Sequence, residues 1–142
     1  MAYVIVTNEH QHIQQIVAGQ HHLMADATVS AGGSDAGFAP RELLLASLGG
    51  CTAIALRTHA ARHNWKLGKI TVGLRWSRDD LGHDHIERRL SFTEPLTEER
   101  RRRLLNVAAE TLITNLLRPA VTIHSSIVAL APAEHRSHAA AR

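Results

Sequence analysis

Cys51 is the only cysteine among 142 residues, so it cannot close an intramolecular disulfide. Three roles remain for it: a nucleophile, a ligand, or a small buried side chain. A nucleophilic thiol has to be held as the thiolate, and that calls for a cation near the sulfur. Arg41, Arg57, Arg62 and the histidines are the candidates that the surrounding sequence offers. Glu42 stands next to Arg41, and a carboxylate there also suits the first turn of a helix. Acyl transfer by Cys51 would need a histidine and an aspartate in support, and no such pair can be assigned. The 11 histidines raise metal binding as a competing chemistry. His10 and His12 would share one side of a strand, as would His83 and His85 with Asp84 nearby, and His21 and His22 lie close to the first pair. None is joined by a cysteine cluster, so these histidines are read as exposed polar positions, and neither a metal nor a cofactor is expected.

The elements that must position these residues follow from periodicity. Residues 2–7 and 11–29 read as short strands, with a turn at Gly19-Gln20. Residues 31–39 carry Gly32, Gly33 and Gly37 and read as a loop, after which Pro40 opens a helix running to His63. Along that helix Leu44, Leu48, Cys51, Ala55, Thr58 and Arg62 recur at three- and four-residue spacing, which predicts one face. The small residues Ala46, Gly49, Gly50, Ala53 and Ala60 would let another element approach closely, so the helix is expected to be buried. Alternation at Ile70, Val72, Leu74 and Trp76, then at Ile86, Leu90 and Phe92, predicts a hairpin turning at Asp79–Asp84. Thr97 caps a second helix, with Glu98 and Glu99 in its first turn, ending near Arg118 before Pro119. Arg100–Arg103 are read as the solvated surface of that helix. Residues 120–130 are strand-like. One domain over 1–131 and a disordered tail over 132–142 are therefore expected, in an α+β class.

Composition narrows the function further. A formal charge of +3, from 16 basic and 13 acidic residues, is too small and too scattered to suggest nucleic acid. No apolar run approaches the roughly 18–20 residues of a membrane span, and the amino terminus lacks a signal-peptide pattern. A soluble protein of the reducing cytoplasm is the expectation. Two helices and a sheet give the long helix limited cover, so a homodimer sharing its core is expected.

The run GGSDAGFAPRELLLASLGGCTA, the hairpin after it, the helix LTEERRRRLLNVAAE and the strand AVTIHSSI together resemble the OsmC-like family, which includes the organic hydroperoxide resistance proteins. The resemblance spans roughly residues 32–127. It implies an intertwined homodimer with curved antiparallel sheets around two central helices, and a peroxide-reducing thiol at the dimer interface, with Cys51 at the reactive position. In such chemistry a thiolate attacks the O–O bond and becomes a sulfenic acid, which a second cysteine then resolves as a disulfide.

This sequence departs from that pattern in three places. Thr111 stands at the position of the second, resolving cysteine. Arg41 directly follows Pro40 where those peroxidases have a glutamate, and Glu42 comes one residue later. Residues 1–40 contain neither arginine nor lysine, although the family draws an arginine from its amino-terminal strands. The resemblance thus implies a one-cysteine hydroperoxide reductase with Cys51, Arg41 and Glu42 as site residues, resolved by an external small thiol. The competing expectation is a non-catalytic protein that holds an apolar small ligand in a pocket lined by Leu44 and Leu48, with Cys51 structural.

Overall fold

The first apolar alternations form β1 (Ile5–His10), β2 (Ile13–Ala18) and β3 (His21–Ala25), paired antiparallel in the order β1-β2-β3. Gly19, at φ 61°, makes the expected second turn. The first turn falls at Gln11, with φ 49°, so His10 ends a strand while His12 lies in the turn. The two histidines therefore do not share a strand face. The computed structural model describes residues 1–129, and the tail expected over 132–142 lies outside the described residues. Backbone contacts group the chain into two compact units, Met1–Leu48 and Gly49–Arg142.

In the first unit, Asp26 organises the glycine-rich loop that leads to the long helix. Its Oδ2 accepts the Ser34 and Ala36 N–H groups, each at 3.0 Å, and the Ser34 hydroxyl at 2.7 Å, while Oδ1 accepts the Ala27 N–H at 2.7 Å. Asp26 is 2% exposed. The Ala36 N–H and the Ser34 hydroxyl hold its carboxyl at about 2, below the ordinary 3.8. A side chain at Gly33 would run into the Ala27 carbonyl, and one at Gly37 into that of Met24. The loop can fold back on β3 only because both positions are bare.

Helix α1 spans Pro40–Arg62. Pro40 occupies the first helical position, where no N–H is required. Two residues on, Glu42 Oε2 accepts the Ala39 N–H at 2.9 Å, which is the reciprocal half of a capping box. By length and composition alone this helix could cross a membrane, which corrects the reading that no run approached that length. Leu48, Thr52, Leu56 and Ala60 are buried while Ile54 is 69% exposed, so α1 is one-sided rather than buried all round. Its covered stripe runs 48-52-56-60, one residue on from the predicted face, and Cys51 flanks that stripe half-buried.

The second unit contains β4 (Ile70–Arg78), β5 (Asp84–Phe92), α2 (Glu98–Ala109), α3 (Leu112–Leu117) and β6 (Thr122–Ile127). β4 and β5 pair antiparallel from Ile70–Phe92 to Arg78–Asp84. β6 lies parallel to β5, from His85–Thr122 to Leu90–Ile127, so this sheet is mixed rather than antiparallel throughout. A parallel neighbour needs a long crossover, and α2 and α3 supply it. Thr97 caps α2 as expected, accepting the Arg100 N–H at 3.3 Å. The single second helix expected up to Arg118 is broken at Glu110 and Thr111, because the Thr111 side chain caps a separate α3 by accepting the Thr114 N–H. Leu56, Ala60, Leu67, Leu90, Leu104 and Ala108 form the core of this unit. Gly49 admits β4 closely, since a Cβ there would meet Leu74 Cδ1 at 3.0 Å.

Candidate functional site

Period-two alternation on β5 places residues 86, 88 and 90 on one face. Ile86 and Leu90 are core, and the residue between them is Arg88, 1% exposed. Its Nη1 donates to Thr52 Oγ1 at 3.0 Å and to Thr114 Oγ1 at 2.9 Å, and its Nε donates to Ser125 Oγ at 3.0 Å. Every one of these acceptors is a neutral hydroxyl. Among the described residues Arg88 forms no ion pair with a carboxylate. Burial pushes its guanidinium below the ordinary value and the charge of Arg118 adds to this, while the negative charge of Cys51 works in the opposite direction. A buried cation caged by hydroxyls and within electrostatic reach of the one thiol is therefore the main electrostatic feature near Cys51.

The hydroxyl cage is directional. Thr114 Oγ1 donates to the Ala108 carbonyl at 3.2 Å, so its 2.7 Å contact with Thr111 Oγ1 takes a proton from Thr111. Thr114 thus accepts from Arg88 and Thr111 and donates to the carboxyl end of α2. Thr111, 5% exposed, is joined through Thr114 to the Arg88 guanidinium. The position where the family resemblance implies a second thiol is built here as part of the arginine's cage.

The other expected site residues fall as follows. Cys51 lies on α1, with Thr52, its neighbour in sequence, holding Arg88. Glu42 is engaged with the start of α1, and Arg41 is exposed in the same first turn. Arg57 Nη2 donates to the Gly68 carbonyl at 2.6 Å. The sequence pointed to Arg41, Arg57, Arg62 and the histidines as candidate cations and passed over Arg88, the buried guanidinium that interacts electrostatically with Cys51. The signal was present, since the alternation through Ile86 and Leu90 puts an arginine on the inward phase.

Among the described residues no cluster of three or more histidine, cysteine or acidic side chains could hold an ion. His83 Nδ1 and His85 Nε2 both meet Asp79 Oδ2, at 3.3 and 3.0 Å. The Asp84 carboxylate is instead engaged by Arg78 and by Trp76 Nε1.

A mixed α+β chain with one thiol and one buried, hydroxyl-caged arginine defines a class, and comparison with known proteins gives it a family. Residues 32–126 match the OsmC-like protein family, about two thirds of the sequence, and the chain belongs to that family. Among solved structures it is similar to an osmotic-stress-induced and detoxification response protein of Psychrobacter arcticus, at 18% identity, TM-score 0.81 and coverage of 90% of this chain and 96% of that one. It is also similar to an organic hydroperoxide resistance protein of Legionella pneumophila, at 18% identity, TM-score 0.71 and coverage of 89% and 96%. The organic hydroperoxide resistance protein OhrB of Bacillus subtilis matches at 19% identity, TM-score 0.66 and coverage of 90% and 98%. At these identities the likeness is one of fold. No curated protein matches the sequence.

Proposed function

We propose that this OsmC-like protein is a one-cysteine hydroperoxide reductase, and the observation that carries the reading is the buried Arg88 guanidinium held by Thr52, the residue next to Cys51. The Cys51 thiolate attacks one oxygen of the O–O bond, forming S–O as O–O breaks. The leaving alkoxide takes a proton from water and departs as the alcohol, leaving Cys51 as the sulfenic acid. One external small thiol then condenses with it, releasing water and giving a mixed disulfide. A second thiol restores Cys51 and leaves as the symmetric disulfide, so the two electrons come from the external thiol. Thr111 cannot take the resolving step, which is why the reductant has to come from outside. Arg88 supports the thiolate, and the reducing cytoplasm is the setting such a cycle requires. Arg41 and Glu42 enter as further site residues on the strength of the family pattern.

The test is mass spectrometry after substoichiometric cumene hydroperoxide with dimedone as the trap. The expected result is a dimedone adduct on Cys51, reduced about tenfold in Arg88→Met, which removes the buried cation held by the neighbouring Thr52. Absence of an adduct under conditions that label a known peroxidatic thiol refutes the reading.

We also propose a homodimer. Ile54, Leu112 and Leu116 are 67–69% exposed in one unit, and Tyr3, Val4 and Val6 are at least half exposed in the other. Sedimentation equilibrium at micromolar concentration is expected to return twice the chain mass, and a monomer there would remove the proposal.

A further inference from the structure

Beside the Arg88 cage lies a cavity of about 280 Å³ whose walls include Arg88, Thr114, Arg118, Thr122 and Ser125. Neither Cys51 nor Thr52 is a wall residue, so this space is separate from the thiol although it shares Arg88. A guanidinium has five N–H donors. The one on Nε goes to Ser125, and the two on Nη1 go to Thr52 and Thr114. The two on Nη2 meet no protein acceptor among the described residues, and Nη2 is not one of the buried polar atoms left without a partner, so it keeps access to open space. Arg118 Nη2 donates to the Ala109 carbonyl and lies 3.4 Å from Glu110 Oε1. Glu110 is not one of the walls, and no wall residue carries a negative charge. Two cations thus line one cavity, Arg88 buried and Arg118 exposed and paired with Glu110.

We propose that this cavity binds a small oxyanion, a carboxylate or phosphate group, between Arg88 and Arg118. The planar fork of arginine matches two oxygens of such a group at once, and Nη2 of Arg88 has both of its donors to give. The Thr122 and Ser125 hydroxyls add neutral donors at the same walls. The size points to a small metabolite, since about 280 Å³ falls just short of the roughly 300–1,000 Å³ of sites for larger ligands. The repulsion from Arg118 that pushes the Arg88 guanidinium down is relieved by the same occupant. This goes beyond the thiol chemistry and does not depend on it.

The test is thermal unfolding and calorimetric titration of the full chain with inorganic phosphate and, separately, acetate, at ionic strength fixed with sodium chloride. Saturable stabilisation is expected with at least one probe, at least tenfold weaker in Arg118→Ala and unchanged in Cys51→Ser. Saturation by phosphate alone identifies a phosphate-type occupant, and saturation by acetate alone a carboxylate-type one. Thr122→Glu, which leaves both arginines in place and puts a carboxylate at the wall, is expected to abolish binding, and this arm decides the matter if Arg118→Ala fails to fold. No saturable effect with either probe overturns the site, and so does an effect that survives Thr122→Glu or a folded Arg118→Ala. Loss of dimedone labelling with anion binding intact would count against the thiol reading alone.

Discussion

Replacing Thr114 with valine keeps the volume of the side chain and deletes its hydroxyl. Three interactions are lost outright: the 2.9 Å bond from Arg88, the 2.7 Å bond from Thr111 and the 3.2 Å bond to the Ala108 carbonyl. The first, to a charged donor, is worth about 1.5–3 kcal/mol, and the other two, between neutral groups, about 1 kcal/mol each. The cost is therefore about 4 kcal/mol. For 142 residues, at about 2.1 cal/mol/K each, the unfolding entropy is about 0.3 kcal/mol/K, which makes the expected fall in Tm about 13 °C. Ser125→Ala removes an acceptor of the same type, but Ser125 is half-buried and lines the cavity, where water can replace it, so the loss is expected to stay below about 5 °C. In an Arg88→Met background Thr114→Val should cost only the bonds to Thr111 and the Ala108 carbonyl, leaving a coupling of about 1.5–3 kcal/mol between the two sites. Calorimetry of the four chains measures this directly. A fall of less than about 3 °C for Thr114→Val, or an equal fall for Ser125→Ala, refutes the view of Thr114 as the buried hub of the cage.

Three further outcomes follow from features outside the cage. Asp26 is held at about 2 against an ordinary 3.8, and a depressed carboxyl stabilises the folded state above its unfolded value. That contribution is complete above about pH 5 and fades as the pH falls from about 4 to 2, so the Tm curves of the native chain and Asp26→Asn should converge near pH 2. Curves that stay parallel through that window would contradict the loop assignment. Gly68 sits at φ 65°, and a Cβ there would run into Thr93 Oγ1, which itself accepts the Lys69 N–H at 2.8 Å. Gly68→Ala should cost at least about 1–2 kcal/mol in urea unfolding, whereas Gly82→Ala, at φ 85° with nothing near, should cost only the backbone share. Glu42→Ala frees the Ala39 N–H and should lower stability by about 0.5–1 kcal/mol, read from the same urea curves.

The outline of the fold was legible because most of its elements announce themselves locally. Pro40 at a helix start, Thr97 before two glutamates and the alternation of β4 and β5 are signals within a few residues of each other. The break at Glu110–Thr111 was not legible, because the LLNVAAETLITNLL stretch keeps a helical apolar period throughout. What ends α2 is a side chain from the next turn, Thr114, capping the Ala108 carbonyl. The parallel pairing of β6 was hidden for a related reason, since strand direction depends on where a crossover lands and not on the strand's own residues. At the site, Cys51 was legible from its solitude and Thr111 from alignment of motifs. Arg88 was not, because its hydroxyl partners Thr52, Thr114 and Ser125 lie 36, 26 and 37 residues away. An arginine in a strand reads as solvent-facing until its phase is compared with Ile86 and Leu90.

The parallel pairing of β5 with β6 also sets an order of events in folding. The β4–β5 hairpin closes over a short turn and can form within microseconds, whereas β6 can dock only after the chain from 93 to 121 has been laid across the gap. Until then Ser125 is far from Arg88, and the guanidinium keeps its water. Dehydration of that one charge is thus expected to wait until β6 docks on β5. Substitutions in β6 should accordingly speed unfolding while leaving the folding rate nearly unchanged, with φ-values near zero at Ile123 and Ser125 and well above that in β4 and β5.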